Sequence, residues 1–171
     1  MFRGNLGTIV LMAFCFVVLV LVVQAFRDYT PFAAVEGIIR EKPPDYFSWG
    51  NTHLENKEYD KAITNYTEAI KLDPKDARPY ERLAWVLATV PKDELRDGKK
   101  AVDYAKKACE LTEWKNPDYL TTLSAAYAES GDFKEAIKWQ TKALETPELG
   151  EKKAEGYHQR LKMYEEGKPN R

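Results

Sequence analysis

Apolar residues divide this chain into two unlike parts. Residues 8–23, TIVLMAFCFVVLVLVV, form one uninterrupted apolar run. Further on, apolar residues recur every three or four positions between charged ones, which predicts a series of amphipathic helices. Two of these stretches echo each other. In ENKEYDKAITNYTEAI (55–70) and ESGDFKEAIKWQTKAL (129–144), Tyr59 answers to Phe133, Ala62 to Ala136, Ile63 to Ile137, Ala69 to Ala143 and Ile70 to Leu144. One helix pattern used twice points to an internal repeat.

With Pro43 as the first position of a 34-residue unit, Tyr46, Trp49, Gly50, His53, Ala62, Tyr66, Ala69 and Pro74 fall at positions 4, 7, 8, 11, 20, 24, 27 and 32. Large residues stand where two helices must be filled between, and small ones where they must approach. Ala62 and Ala136 are six residues further apart than two such units, so a middle unit with an insertion is expected. Tyr80, Leu83, Ala84 and Leu87 supply its first helix, and Ala101, Ala105 and Ala108 its second. The extra residues fall in VPKDELRDG (90–98), where Pro91 and Gly98 mark a loop. Pro117 opens a third unit with Leu120, Leu123, Tyr127, Ala136 and Ala143. Ser124 and Gln140 depart from its pattern, which predicts looser packing there. Beyond Pro147, Ala154, Tyr157, Leu161 and Tyr164 share one face of a further helix whose other face is polar, as a repeat stack needs at its end. GKPNR then trails off.

The pattern over 43–150 resembles the tetratricopeptide repeat, in a variant widespread in bacterial repeat proteins. The resemblance implies an all-α fold: a right-handed superhelical solenoid of three helix-turn-helix repeats plus a C-terminal capping helix, preceded here by a single transmembrane helix. The divisions read as 1–29 anchor, 30–42 juxtamembrane helix or linker, repeats at 43–76, 77–116 and 117–150, and 151–171 cap and tail. The variant often carries a cysteine before the loop proline; here that residue is Val90, which argues against a thiol pair with Cys109.

Extended from Leu6 to Phe26, the apolar run would be roughly 31 Å long as a helix, enough to span a bilayer. Ile9, Val10, Leu11, Phe14, Phe16, Leu19, Leu21 and Val23 are the candidate lipid-facing residues. A retained anchor is the leading reading. A cleaved signal is the alternative, with small residues around Val23-Gln24-Ala25. Arg3 on one side and Arg27, Arg40 and Lys42 on the other leave the orientation unsettled by basic-residue count. The acid-free N-terminal flank points to repeats on the extracytoplasmic side of a bacterial inner membrane. Thr30-Pro31 starts a short amphipathic stretch, with Phe32, Val35, Ile38 and Ile39, that Pro43-Pro44 ends.

Charge adds an exclusion. Lysine and arginine number 26 against 27 acids, a net −1, and they are interleaved along helices. Nucleic-acid binding needs a clustered basic face, so none is expected. Neither do the two cysteines and two histidines make a metal site at a known spacing, and nucleophile motifs and glycine-rich phosphate loops are absent from the sequence. No cofactor, small-molecule substrate or enzymatic activity is expected. Cys109 reads as a small core residue and His53 as a structural one.

What remains is a surface. The resemblance implies that the first helix of each unit lines the concave face. This assigns Phe47, Asn51, Leu54 and Glu55, then Arg78, Glu81, Trp85 and Thr89, then Asp118, Thr121, Ala125 and Glu129. Phe47 and Trp85 are the candidate anchors for a partner protein, since buried aromatics dominate interface energetics. The family's clamp for a C-terminal carboxylate uses Lys, Asn and Arg; Asn51 suits it, but Phe47 does not and no lysine belongs to this set. The function expected is a membrane-tethered protein-interaction scaffold. The alternatives are a structural subunit of a membrane complex held through its N-terminal helix, and a secreted adaptor after signal cleavage.

Overall fold

The computed structural model describes residues 18, 19, 21, 24, 44–147 and 149–171. The chain divides into two compact units, 1–44 and 45–171. In the first, residues 18, 19, 21 and 24 are helical, and Val18, Leu19 and Leu21 are exposed. The other anchor candidates, Ile9, Val10, Leu11, Phe14, Phe16 and Val23, and the stretch 30–42 lie outside the described residues. Among the described residues no helix is long and apolar enough to cross a membrane.

The second unit is all-helical: α1 (Tyr46–Glu55), α2 (Tyr59–Leu72), α3 (Ala77–Thr89), α4 (Gly98–Leu111), α5 (Pro117–Glu129), α6 (Phe133–Leu144) and α7 (Glu151–Glu165). Its helix starts follow from short polar caps. Asp45, Asp76, Asp97, Asn116 and Asp132 each accept a hydrogen bond from a first-turn backbone N–H, satisfying a donor that has no partner within the helix. Pro117 sits in the first turn of α5, where its missing N–H costs nothing.

Helices pair as α1·α2, α3·α4 and α5·α6, with α3 and α4 also packing on α5, α2 on α3, and α7 on α6. The turns within the first and third pairs are alike. Lys57 and Gly131 both adopt positive φ, and Glu58 N–H and Asp132 N–H return to His53 O and Tyr127 O at 2.8 and 2.9 Å. The middle pair replaces this turn with the insertion, which holds a short 3-10 segment, Asp93–Leu95.

Small residues set the helix spacing. Ala62, Ala84, Ala101, Ala105, Ala126, Ala136 and Ala143 are fully buried, while Leu83, Val86, Leu120 and Leu123 fill between them. Cys109 belongs to this core, where burial pushes its thiol up to about 12, well outside the reactive range. His53, by contrast, is partly exposed and bonded through Nδ1 to Glu58 at 2.5 Å. Instead of packing loosely, Ser124 and Gln140 are completely buried. Ser124 Oγ donates to Gln140 Oε1 at 2.6 Å, and Gln140 Nε2 donates to the Tyr157 carbonyl at 3.0 Å. The two departures from the repeat pattern satisfy each other and grip the capping helix.

Candidate functional site: the concave groove

First helices of successive units, with the capping helix, surround a groove of about 530 Å³. Phe47 enters from α1; Arg78, Glu81, Arg82 and Trp85 from α3; Asp118, Tyr119, Thr121 and Thr122 from α5; Lys152, Lys153, Gly156, Tyr157 and Arg160 from α7. The spacing explains the set. Residues 78, 81, 82 and 85 lie three or four apart, so one stripe of α3 faces the groove while Leu83, Ala84, Val86 and Leu87 on the opposite side enter the core.

Two cation–aromatic stacks stand in the groove. The Arg78 guanidinium lies 4.8 Å from the Phe47 ring centroid, and that of Arg160 lies 5.2 Å from Trp85 and 5.6 Å from Tyr157. Two carboxylates stand with them, Glu81 mostly buried and Asp118 about half exposed. Glu81 accepts from the Thr122 hydroxyl at 2.8 Å and approaches Arg82 at 3.6 Å; burial raises its pKa despite both. Asp118 accepts from Lys153 Nζ at 2.7 Å and from the Tyr157 hydroxyl at 2.5 Å. Burial pushes Asp118 up, but those two bonds and the fields of Lys153 and Arg160 outweigh it, and its pKa ends below the usual carboxylate range. The groove therefore counts five basic side chains against two acids, on a chain whose net charge is −1.

Of the residues assigned to the concave face, Phe47, Arg78, Glu81, Trp85 and Thr121 meet in this groove, as does Asp118. Thr121 is almost fully buried and donates its hydroxyl to the Asp118 carbonyl, so it offers little surface. Asn51, Leu54, Thr89 and Glu129 are placed elsewhere. Asn51 accepts from the Tyr66 hydroxyl at 2.8 Å, Leu54 packs on the core, and Thr89 bonds back to the Trp85 carbonyl. Glu129 is an internal tie, paired with Arg96 of the insertion at 2.9 Å and with Arg171 at 3.1 Å. Glu55 and Ala125 are likewise not among the lining residues.

Sequence reasoning finds no lysine for this surface, yet the structure brings two, with Arg160, from α7. The reason is that the apolar face of α7 identifies it as a cap but does not say which way its basic stripe turns once it docks. A signal existed: Lys152, Gly156 and Arg160 recur every four residues, a second stripe with a small residue at its centre. Among the described residues no group of His, Cys, Asp or Glu is placed to hold a metal ion.

Comparison with known proteins assigns the architecture. Residues 50–89 match the family model described as TPR repeat, and residues 117–147 the one described as tetratricopeptide repeat. Those two segments therefore match TPR repeats, and α4 lies between the two matches. Over 98 residues it is 32% identical to Protein STIP1 homolog of Dictyostelium discoideum, a match spanning 57% of this chain and only 16% of that protein. The Arabidopsis OM64 TPR domain superposes with a TM-score of 0.57 at 26% identity, covering 70% of this chain and 93% of that one. Two further structures show the same fold. The first TPR of Spaghetti (RPAP3), bound to the HSP90 peptide SRMEEVD, gives a TM-score of 0.59 at 19% identity, covering 71% and 88%. The N-terminal domain of stress-induced protein-1 from C. elegans gives 0.52 at 21% identity, covering 70% and 91%.

Proposed function

We propose that this chain is a protein-interaction module that holds a segment of a partner protein in the concave groove. The observation that carries this is the groove itself: Phe47 and Trp85 offer apolar surface beside hydrogen-bonding and charged groups at a scale that suits a peptide. A structural neighbour with a peptide of HSP90 bound supports the same kind of use. We further propose that residues 6–26 tether the repeats to a membrane and place them on its extracytoplasmic side. The unbroken apolar run supports the tether, and the sequence resemblance to bacterial repeat proteins supports an inner membrane.

The test uses the full-length chain as bait in detergent-solubilised membranes. Replacing Trp85 or Phe47 by alanine is expected to cut capture of its partner about tenfold or more, with helicity and melting temperature kept. Undiminished capture by both variants would sink the groove assignment. Carbonate extraction of membranes tests the tether, which predicts that the chain stays in the pellet.

A further inference from the structure

The geometry points to Arg160 as the residue that recognises the partner, and to a ligand segment carrying at least two adjacent negative charges, glutamates or phosphates. This rests on the groove being the binding surface and names the chemistry it takes.

Two of the five cations in the groove are already spent on neighbouring carboxylates. Arg78 gives Nε and Nη2 to Asp76, and Lys153 gives Nζ to Asp118. Arg82 comes no nearer than 3.6 Å to Glu81, and its side chain is 47% exposed. Arg160 and Lys152 pair with no carboxylate among the described residues. Asp118 lies within the field of Arg160, but its two oxygens already accept from Lys153 and Tyr157. The groove thus holds more positive charge than its own acids neutralise.

Arg160 is also the best positioned of the three. Its guanidinium lies over the Trp85 and Tyr157 rings, which restrain it before any ligand arrives, and its N–H groups have no hydrogen-bond acceptor among the described residues. Little side-chain entropy is then lost on binding. One turn before it, Gly156 leaves open space: a Cβ there would meet nothing within 4 Å. Lys152 lies one turn further back on the same stripe. A single carboxylate can answer one of these cations, whereas a segment with several negative charges can answer Arg160 and also a second cation lining the same groove, Arg82 or Lys152. Protein is favoured over nucleic acid as the source, because the cations are few, stand beside apolar Phe47, and sit on a chain of net charge −1.

Titration calorimetry on the full chain in detergent tests this with three capped peptides: one with four central glutamates, its glutamine counterpart, and one with a central phosphoserine. The glutamate peptide is expected to bind, to weaken with added salt, and to outbind the glutamine peptide at least tenfold. Stronger binding of the phosphoserine peptide would assign phosphate as the natural charge, and weaker binding glutamate. Arg160→Ala is expected to lose about tenfold in affinity and Arg160→Lys to recover only part, since an ammonium neither stacks nor forks. Arg160→Gln repeats the test in case alanine loosens the cap, and melting curves verify the fold. Equal binding of the glutamate and glutamine peptides would overturn the proposal. So would wild-type affinity in all three Arg160 variants, or displacement of the peptide by a single-stranded oligonucleotide that binds more tightly. If Trp85→Ala loses the natural partner while Arg160→Ala keeps it, this inference fails alone. If neither changes capture, the groove reading fails with it.

Discussion

The first and third repeats place different chemistry at the same two positions. In the first, Gly50 faces Tyr66; in the third, Ser124 faces Gln140. A Cβ on Gly50 would lie 2.5 Å from Cε1 of Tyr66, so the ring rests directly on the α1 backbone, and its hydroxyl reaches across to Asn51. In the third repeat the shorter Gln140 leaves room for a serine hydroxyl, and its amide reaches the backbone of α7. The repeat pattern therefore constrains volume at these positions rather than polarity. A flat aromatic serves a joint filled by shape. A buried amide serves a joint that must select one helix in one register, because a displaced cap would leave it unsatisfied.

That contrast can be broken most severely from the aromatic side. Tyr66→Ala is expected to destabilise the repeats by about 3–5 kcal/mol in urea unfolding, through the cavity left by a fully buried ring. Gly50→Ala, despite the better helix propensity of alanine, should cost about 1–3 kcal/mol because the ring must move. At the polar joint, Gln140→Ala is expected to cost about 2–3 kcal/mol. Gln140→Leu should recover more than half of this, since the Ser124 hydroxyl can fall back on the Thr121 carbonyl at 2.8 Å. If leucine proved as harmful as alanine, hydrogen bonding rather than volume would be what holds the cap.

The smallest effects sharpen the comparison furthest. Tyr66→Phe loses a satisfied bond and is expected to cost about 1 kcal/mol. Tyr164→Phe, on the inner face of α7, removes a buried hydroxyl that has no partner among the described residues, and should be neutral or stabilising by up to about 1 kcal/mol. Alkaline titration separates the first site again. Burial pushes the Tyr66 phenol up to about 12, against about 10 in the unfolded chain. The stability due to its neutral form is complete below pH 10 and is lost as the pH rises towards 12. Stability of Tyr66→Phe should fall less steeply over that window, and parallel curves for the two proteins would refute the assignment.

Much of the fold could be read from the pattern because helix packing imposes it. Ala62 and Ala136, or Tyr59 and Phe133, recur because each unit solves the same spacing problem, and Asp73-Pro74 and Pro117 punctuate it. Contacts that join distant segments could not be read this way. Glu129 looks like a surface residue until Arg96, 33 residues before it, and Arg171, 42 after it, are brought alongside. The α7 contribution to the groove was hidden for a related reason. A capping helix is recognised by the apolar stripe it buries, whereas the orientation of its polar stripe depends on how it docks. Ser124 and Gln140 each break the pattern alone and make sense only as a pair.

Gly98 carries a consequence for the binding surface, although it lies away from it. It opens α4 with its backbone hard against the end of α5: a Cβ there would fall 2.5 Å from the Ser130 nitrogen and 2.8 Å from the Glu129 carbonyl carbon. Main chain cannot be rotated aside as a side chain can, so any other residue must push the third unit off the second. Trp85 belongs to the second unit, and Arg160 is carried on the helix that caps the third. The width of the gap between them is thus metered by one hydrogen atom on a glycine that the ligand never meets.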